Sequence, residues 1–240
     1  MTTIIAMWSG PRNISTALMR AWENRLDTVV VDEPFYGHYL KQTGYDHPGA
    51  KDIMAAMESD WRKIVATLLS SPDGAAFFYQ KHMTHHMLDH IERDWLRQVK
   101  NCFLIREPSR VLISLAKVLP DPTIEQTGIP QQAELFRTVQ KQTGSIPLVI
   151  DSRDVLTNPR RVLAQLCELV GAPFDDSMLS WPAGPRDSDG VWAKHWYARV
   201  EQSTGFAPYE ERDESVPNHL RHMLDECNAL YEELSVHRLR

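Results

Sequence analysis

The sequence predicts an α/β fold in three layers, a mostly parallel sheet with helices on both faces. Three observations carry this. Five short apolar runs, rich in β-branched residues, recur along the 240 residues. They show little apolar–polar alternation, which is the pattern of strands buried on both sides. Between them lie stretches with apolar residues at helical spacing, and strands that alternate with helices build a parallel sheet covered on both faces.

The expected strands are 3–8, 28–31, 75–79, 101–105 and 147–150. The first expected helix spans 15–25, with Ala17, Leu18, Ala21 and Trp22 along one side. A longer one, 52–69, aligns Ile53, Met57, Trp61, Ile64, Val65 and Leu68. The best-delimited helix follows Asn158, which suits the N-cap, with Pro159 in the first turn and Gly171 at the stop. Its stripe is Val162, Leu163, Leu166, Leu169 and Val170. From Val216 onward the chain reads as an amphipathic helix that packs on the domain or on a partner. Segments 36–49, 119–130 and 174–190 read as lid or acceptor loops. The whole chain, 1–240, is expected to form one domain.

A hydrophobic content of 42% is enough for one well-buried α/β core. A net charge of −6 argues against a nucleic-acid partner, which would call for a basic excess. The three cysteines, Cys102, Cys167 and Cys227, are odd in number and form no C-x-x-C pair, so a reducing compartment is expected. The first apolar run is too short for a signal peptide, and no stretch is long enough to span a membrane. The expectation is a soluble cytoplasmic protein without a membrane partner.

Chemistry concentrates at two strand-to-helix crossings. The first is Ser9-Gly10-Pro11-Arg12-Asn13-Ile14-Ser15-Thr16. Backbone N–H groups and the helix dipole at such a crossing hold anions, and Ser15 and Thr16 add hydroxyls. Arg12 is placed to reach across the loop. The bland alternative is that Ser15 only caps the helix. A nucleoside-triphosphate loop needs G-x-x-x-x-G-K-S/T. Counting from Gly10, the last three positions hold Ser15, Thr16 and Ala17, so the lysine and its neighbours are missing. The second crossing runs from Arg106 to Ser114, eight positions on, with Pro108 between them. A doubly charged phosphate is well met by a guanidinium fork and a helix-start hydroxyl.

The pair resembles the sulfotransferases that use 3′-phosphoadenosine 5′-phosphosulfate (PAPS). Their 5′-phosphosulfate loop has the form K/R-x-x-S/T-T, which Arg12-Asn13-Ile14-Ser15-Thr16 fits, with Ile14 where many members carry Gly. Their 3′-phosphate element is an Arg leaving a strand and a Ser eight residues later, matched by Arg106 and Ser114. The 149–159 passage and the Gly171-Ala172-Pro173-Phe174 stop are similar to the family's architecture. Arg186, and Lys194 within Gly190-Val191-Trp192-Ala193-Lys194-His195-Trp196, resemble the segment that closes over the nucleotide.

The resemblance implies a P-loop-like fold and PAPS as co-substrate, with 3′-phosphoadenosine 5′-phosphate (PAP) as product. It implies nucleotide contacts at Gly10, Arg12, Asn13, Ser15, Thr16, Arg106, Ser114 and Arg186. The acceptor would be a hydroxyl or amine of a small molecule, and no metal is expected. Arg12, then Lys81, would stabilise charge on the leaving oxygen. Glu33, after the second strand and before Pro34, is the first choice for the base. His82 is the second, because it directly follows Lys81 where the family spaces the two by one residue. The alternatives are a non-catalytic nucleotide-binding protein on this scaffold and a P-loop kinase of a small metabolite.

His82, His86 and His90 fall at four-residue spacing, the spacing of one helical face, with His85 beside them. Without H-E-x-x-H or further ligands this reads as a solvated face or an acceptor-pocket wall rather than a metal site. There is no G-x-S-x-G, so a serine hydrolase is not indicated. Trp181, Trp192 and Trp196 belong to the core or to an acceptor pocket.

Overall fold

A computed structural model describes residues 2–211 and 213–240. The strands are β1 (Thr3–Ser9), β2 (Thr28–Asp32), β3 (Phe77–Met83), β4 (Lys100–Ile105) and β5 (Leu148–Asp151). They form one sheet in the order β2-β3-β1-β4-β5, and every pairing is parallel. The longer helices are α1 (Ser15–Glu23), α2 (Tyr36–Thr43), α3 (Ala50–Ala56), α4 (Trp61–Leu69), α5 (Pro108–Ala116) and α6 (Ile129–Thr143). They continue with α7 (Ser152–Thr157), α8 (Pro159–Val170), the short α9 (Ala193–Trp196) and α10 (Ala198–Glu201), and α11 (Arg221–Ser235).

The period of two in β1 divides the core. Ile5 and Met7 face one side, where they meet Leu18 and Trp22 of α1 and Val162, Leu163 and Leu166 of α8. Ala6 and Trp8 face the other, among Ile64 and Leu68 of α4, Leu135 and Phe136 of α6, and Leu234 of α11. That alternation makes the three layers. Asn158 caps α8 through Arg161 N at 3.1 Å, and Gly171 takes the left-handed φ of 83° at its end. α11 packs on α5 and α6, and Tyr231 donates to Asp151 at 2.6 Å.

Three expectations change. The 52–69 stretch is two helices, because the chain is extended at Met57 and Asp60, and Asp60 caps α4 by accepting from Arg62 N. The 36–49 segment is not a loop throughout: its first half is α2. β3 runs on to Met83, which places Lys81 and His82 inside the strand, so His82 shares no helical face with His86 and His90. His86 lies on a 3-10 turn, and His90 instead meets His38, Nε2 to Nε2, at 2.9 Å.

Among the described residues no helix is long and apolar enough to cross a membrane. None of the cysteines is in a disulfide.

Candidate active site

At the C-terminal ends of β1, β3 and β4 lies a cavity of about 810 Å³. Open parallel sheets place their ligand crevices at this end. The loop after β1 contributes Pro11, Arg12 and Asn13, and α1 opens with Ser15 and Thr16 at the cavity wall. Among the described residues no side chain caps α1, which leaves its first-turn N–H groups without a helical or side-chain acceptor there. Asn13 braces the turn: its Oδ1 accepts from Ile14 N at 2.9 Å, and its Nδ2 donates to Leu104 O at 3.0 Å.

Arg12 has a φ of 58°, which turns its side chain back toward α5, and its Nε donates to Ser114 Oγ at 3.0 Å. Arg106 donates to the Arg12 carbonyl. The two crossings, 102 residues apart, are therefore in direct contact. Burial, and then the charge of Arg199, lowers the Arg12 pKa. Arg110, Lys117 and Arg199 also line this end.

The other end is built on a buried ionic network. Lys81 donates to Asp32 Oδ1 at 2.7 Å, to Glu33 Oε1 at 2.6 Å and to Tyr197 OH at 2.9 Å. Tyr197 in turn donates to Asp32 Oδ2 at 2.6 Å, and Trp192 Nε1 donates to Tyr197 OH at 3.2 Å. Burial alone pulls the Lys81 ammonium down, but Asp32 and Glu33 override it and hold its pKa well above the usual value. Burial raises the Glu33 carboxyl against the pull of Lys81. The network pins the end of β3 to the end of β2 and to the C-terminal segment. A charged pair this deep keeps its charge only while its hydrogen bonds stay filled.

The sequence-predicted residues part company here. Arg12, Asn13, Ser15, Thr16, Glu33, Lys81, Arg106 and Ser114 all line the cavity. His82 does not: side chains alternate along β3, so it points away from Lys81 into the core. It stacks on Trp8 at 4.2 Å and lies 3.2 Å from Gln80 Oε1. Burial, then Lys81, pushes its pKa down to about 3. Gly10 also lies off the cavity wall; a Cβ there would sit 2.6 Å from Thr127 O, so the glycine serves a close backbone approach. Arg186 is spent elsewhere, its guanidinium on Pro182 O at 2.7 Å and near Glu23 at 3.8 Å. Lys194 pairs with Asp52 at 3.0 Å on the surface.

Of the three expected loop segments, one lies away from the cavity. Residues 174–190 pack on α1, where Asn24 donates to Ser177 O and Ser180 O and Arg20 pairs with Asp189. The other two segments do reach the wall, through Tyr36, Tyr39 and 45–48 and through Leu119 and Gln126, joined by Trp196 through Ala207 at intervals. Trp181 and Trp192 are core residues, while Trp196 lines the cavity. Asp32, Tyr197 and Arg199 were not singled out by sequence. Asp32 neighbours Glu33, which was the only signal for it; Tyr197 and Arg199 stand in no motif.

The family model for the sulfotransferase domain matches residues 2–234. The chain belongs to the sulfotransferase family. Branched-chain-amino-acid aminotransferase-like proteins 1 and 2 of Arabidopsis thaliana are 35% and 32% identical to this sulfotransferase-family chain over 234 residues. The matches take in 98% of this chain and 42% of each relative, so the chain spans under half the length of the curated relatives it matches. The sulfotransferase domain of the curacin biosynthetic pathway superposes with a TM-score of 0.53 at 16% identity, over 98% of both chains. The sulfotransferase domain of the Synechococcus PCC 7002 olefin synthase gives 0.56 at 15%, over 98% of this chain and 96% of that one. A sulfotransferase from Alicyclobacillus acidocaldarius gives 0.55 at 12%, over 100% and 98%. At these identities the likeness establishes the fold.

Proposed function

We propose that this sulfotransferase-family chain moves a sulfuryl group from PAPS to a hydroxyl or amine of a small molecule. The hydrogen bond from Arg12 to Ser114 carries the reading, because it joins two anion-binding elements that a nucleotide with phosphate at two places needs side by side. The residue set fits such a ligand: uncapped N–H groups at the start of α1, two guanidiniums at Arg12 and Arg106, and hydroxyls on Ser15, Thr16 and Ser114. Bound there, PAPS would supply an already activated sulfuryl group.

Arg12, Ser15 and Thr16 bind and orient the 5′ side, and Arg106 with Ser114 the 3′-phosphate. Glu33, on the cavity wall, takes the proton of the acceptor hydroxyl. As the acceptor oxygen bonds to sulfur, the sulfur–oxygen bond to the 5′-phosphate breaks. Negative charge then gathers on the leaving oxygen, where Arg12 stabilises it. Lys81 fixes the Glu33 carboxylate by its hydrogen bond at 2.6 Å and keeps a positive charge beside it.

Calorimetric titration with PAP and with ATP tests the donor. PAP is expected to bind at least about a hundredfold tighter than ATP with Mg²⁺, a gap of about 2.7 kcal/mol. Arg106→Ala is expected to abolish PAP binding while cooperative unfolding persists. Tighter binding of ATP, or unchanged PAP affinity in Arg106→Ala, would refute the assignment.

A further inference from the structure

The cavity is divided by charge. One end holds Arg12, Arg106, Arg110, Lys117 and Arg199, with Glu107 and Glu214 as the acids among the described residues there. Those acids lie 3.7 Å from Arg110 and 2.6 Å from Lys117, and cations remain in excess. The other end holds Glu33 and Asp46 among Tyr36, Tyr39, Tyr45 and Trp196. Its ammonium, Lys81, is already spent on Asp32, Glu33 and Tyr197. Two carboxyls thus share one cation at this end.

The aromatic walls are tied together. Tyr36 stacks on His86 with centroids 4.7 Å apart, Tyr39 meets His85 edge-on at 5.2 Å, and Tyr45 stacks on His47 at 6.0 Å. His85 and His86 line the cavity at 9% and 2% exposure, yet neither ring makes a hydrogen bond among the described residues. Their unpaired Nδ1 atoms are closed off from solvent, that of His85 against Gly128, so the two rings serve as wall. Burial keeps both rings neutral at ordinary pH. Neutral rings on the wall do not repel a positive charge.

We propose that the acceptor is an amine-bearing alcohol or phenol, held by its ammonium between the tyrosine rings and the Asp46 carboxylate, with its hydroxyl toward Glu33. The hydroxyl, not the protonated amine, is the group sulfated. Aromatic faces attract ammonium ions, and the Asp46 carboxylate beside them adds to that attraction. An acceptor bearing a carboxylate in that place would meet Asp46 instead. The direction in which the hydroxyl faces rests on the sulfuryl-transfer reading; the binding of the cation does not.

Three phenols of one size test this by calorimetry, each with and without saturating PAP: tyramine, 4-propylphenol and 3-(4-hydroxyphenyl)propionate. Tyramine is expected to bind about tenfold tighter than 4-propylphenol, and the propionate weakest. Asp46→Asn is expected to cut the tyramine advantage about threefold and to leave 4-propylphenol unchanged. Equal affinities, a preference for the propionate, or no binding of any of the three would overturn the proposal. The titration with PAP alone separates the two readings. PAP binding without an ammonium preference removes the acceptor class only. An ammonium preference without PAP binding removes the donor reading and leaves the cation site standing.

Discussion

Replacing Tyr197 with Phe takes one oxygen from the centre of the buried network and leaves the ring in place. That oxygen accepts from Lys81 at 2.9 Å and from Trp192 at 3.2 Å, and it donates to Asp32 at 2.6 Å. All four residues are buried, with Lys81 and Tyr197 bordering the cavity. A buried group that loses its partner costs about 1–3 kcal/mol. Lys81 and Asp32 retain each other, which limits the damage at those two, while the Trp192 N–H is left with nothing. A total loss of about 3 kcal/mol follows. In a chain of this length each kcal/mol moves the melting temperature by about 2–4 °C, so Tm is expected to fall by about 9 °C. Urea unfolding is the assay: the midpoint falls with the slope m unchanged. A loss under about 1 kcal/mol would refute the idea that the hydroxyl ties the C-terminal segment to the strand ends. Combining Tyr197→Phe with Trp192→Phe sharpens the test, because two residues in direct contact are expected to couple by about 1 kcal/mol.

Glu33→Gln is expected to slow turnover by at least about a hundredfold while PAP affinity, set at the other end of the cavity, stays within about twofold; steady-state kinetics beside calorimetry decide this. Gly10→Ala places a methyl 2.6 Å from the backbone oxygen of Thr127, which has no flexible end to yield, and is expected to cost about 1–3 kcal/mol in urea unfolding. Stability is expected to fall on acidification. His82 and His85 have folded pKa values lowered to about 3, against about 6.5 in the unfolded chain. Their contribution is complete above about pH 6.5 and is lost as pH falls toward 3, by up to about 1.4 kcal/mol per pH unit for each. Glu33 and Asp151, with raised pKa values, work in the opposite sense. His82→Gln should flatten the profile of unfolding midpoint against pH, and a wild-type profile level from pH 6 to 4 would contradict the reasoning.

What the sequence makes legible is whatever is local or periodic. The five strands and the α8 boundaries follow from apolar runs and from Asn158, Pro159 and Gly171, each acting within a turn of its own position. Arg12 and Ser114 are legible as two spacings. Their contact is not, since it depends on how β1 and β4 lie side by side. His82 misleads because the four-residue spacing to His86 and His90 mimics a helix, while the strand period that governs it only shows once β3 is known to run to Met83. Arg186 misleads because its neighbourhood is decided by α1 and Glu23, far away in sequence. Tyr197 and Asp32 meet 165 residues apart, and a contact of that range leaves no local trace.

The backbone offers an independent route to the same cavity. Among the described residues, the non-glycine residues with positive φ are Arg12 at 58° and Glu33 at 43°. Side chains avoid that region, and holding one there costs about 1–3 kcal/mol, so the surroundings must over-determine it. They do. At Arg12 the side chain is tied to Ser114 and the carbonyl to Arg106. At Glu33 the backbone N–H donates to Lys81 O at 2.9 Å while the carboxylate accepts from the same residue's ammonium. Each residue ends or follows a strand, where an ordinary turn would carry its side chain along the sheet. The positive φ turns it across the strand ends instead. The fold thus accepts local strain at two places, and they are the base and the leading cation of the proposed transfer, both on the wall of one cavity.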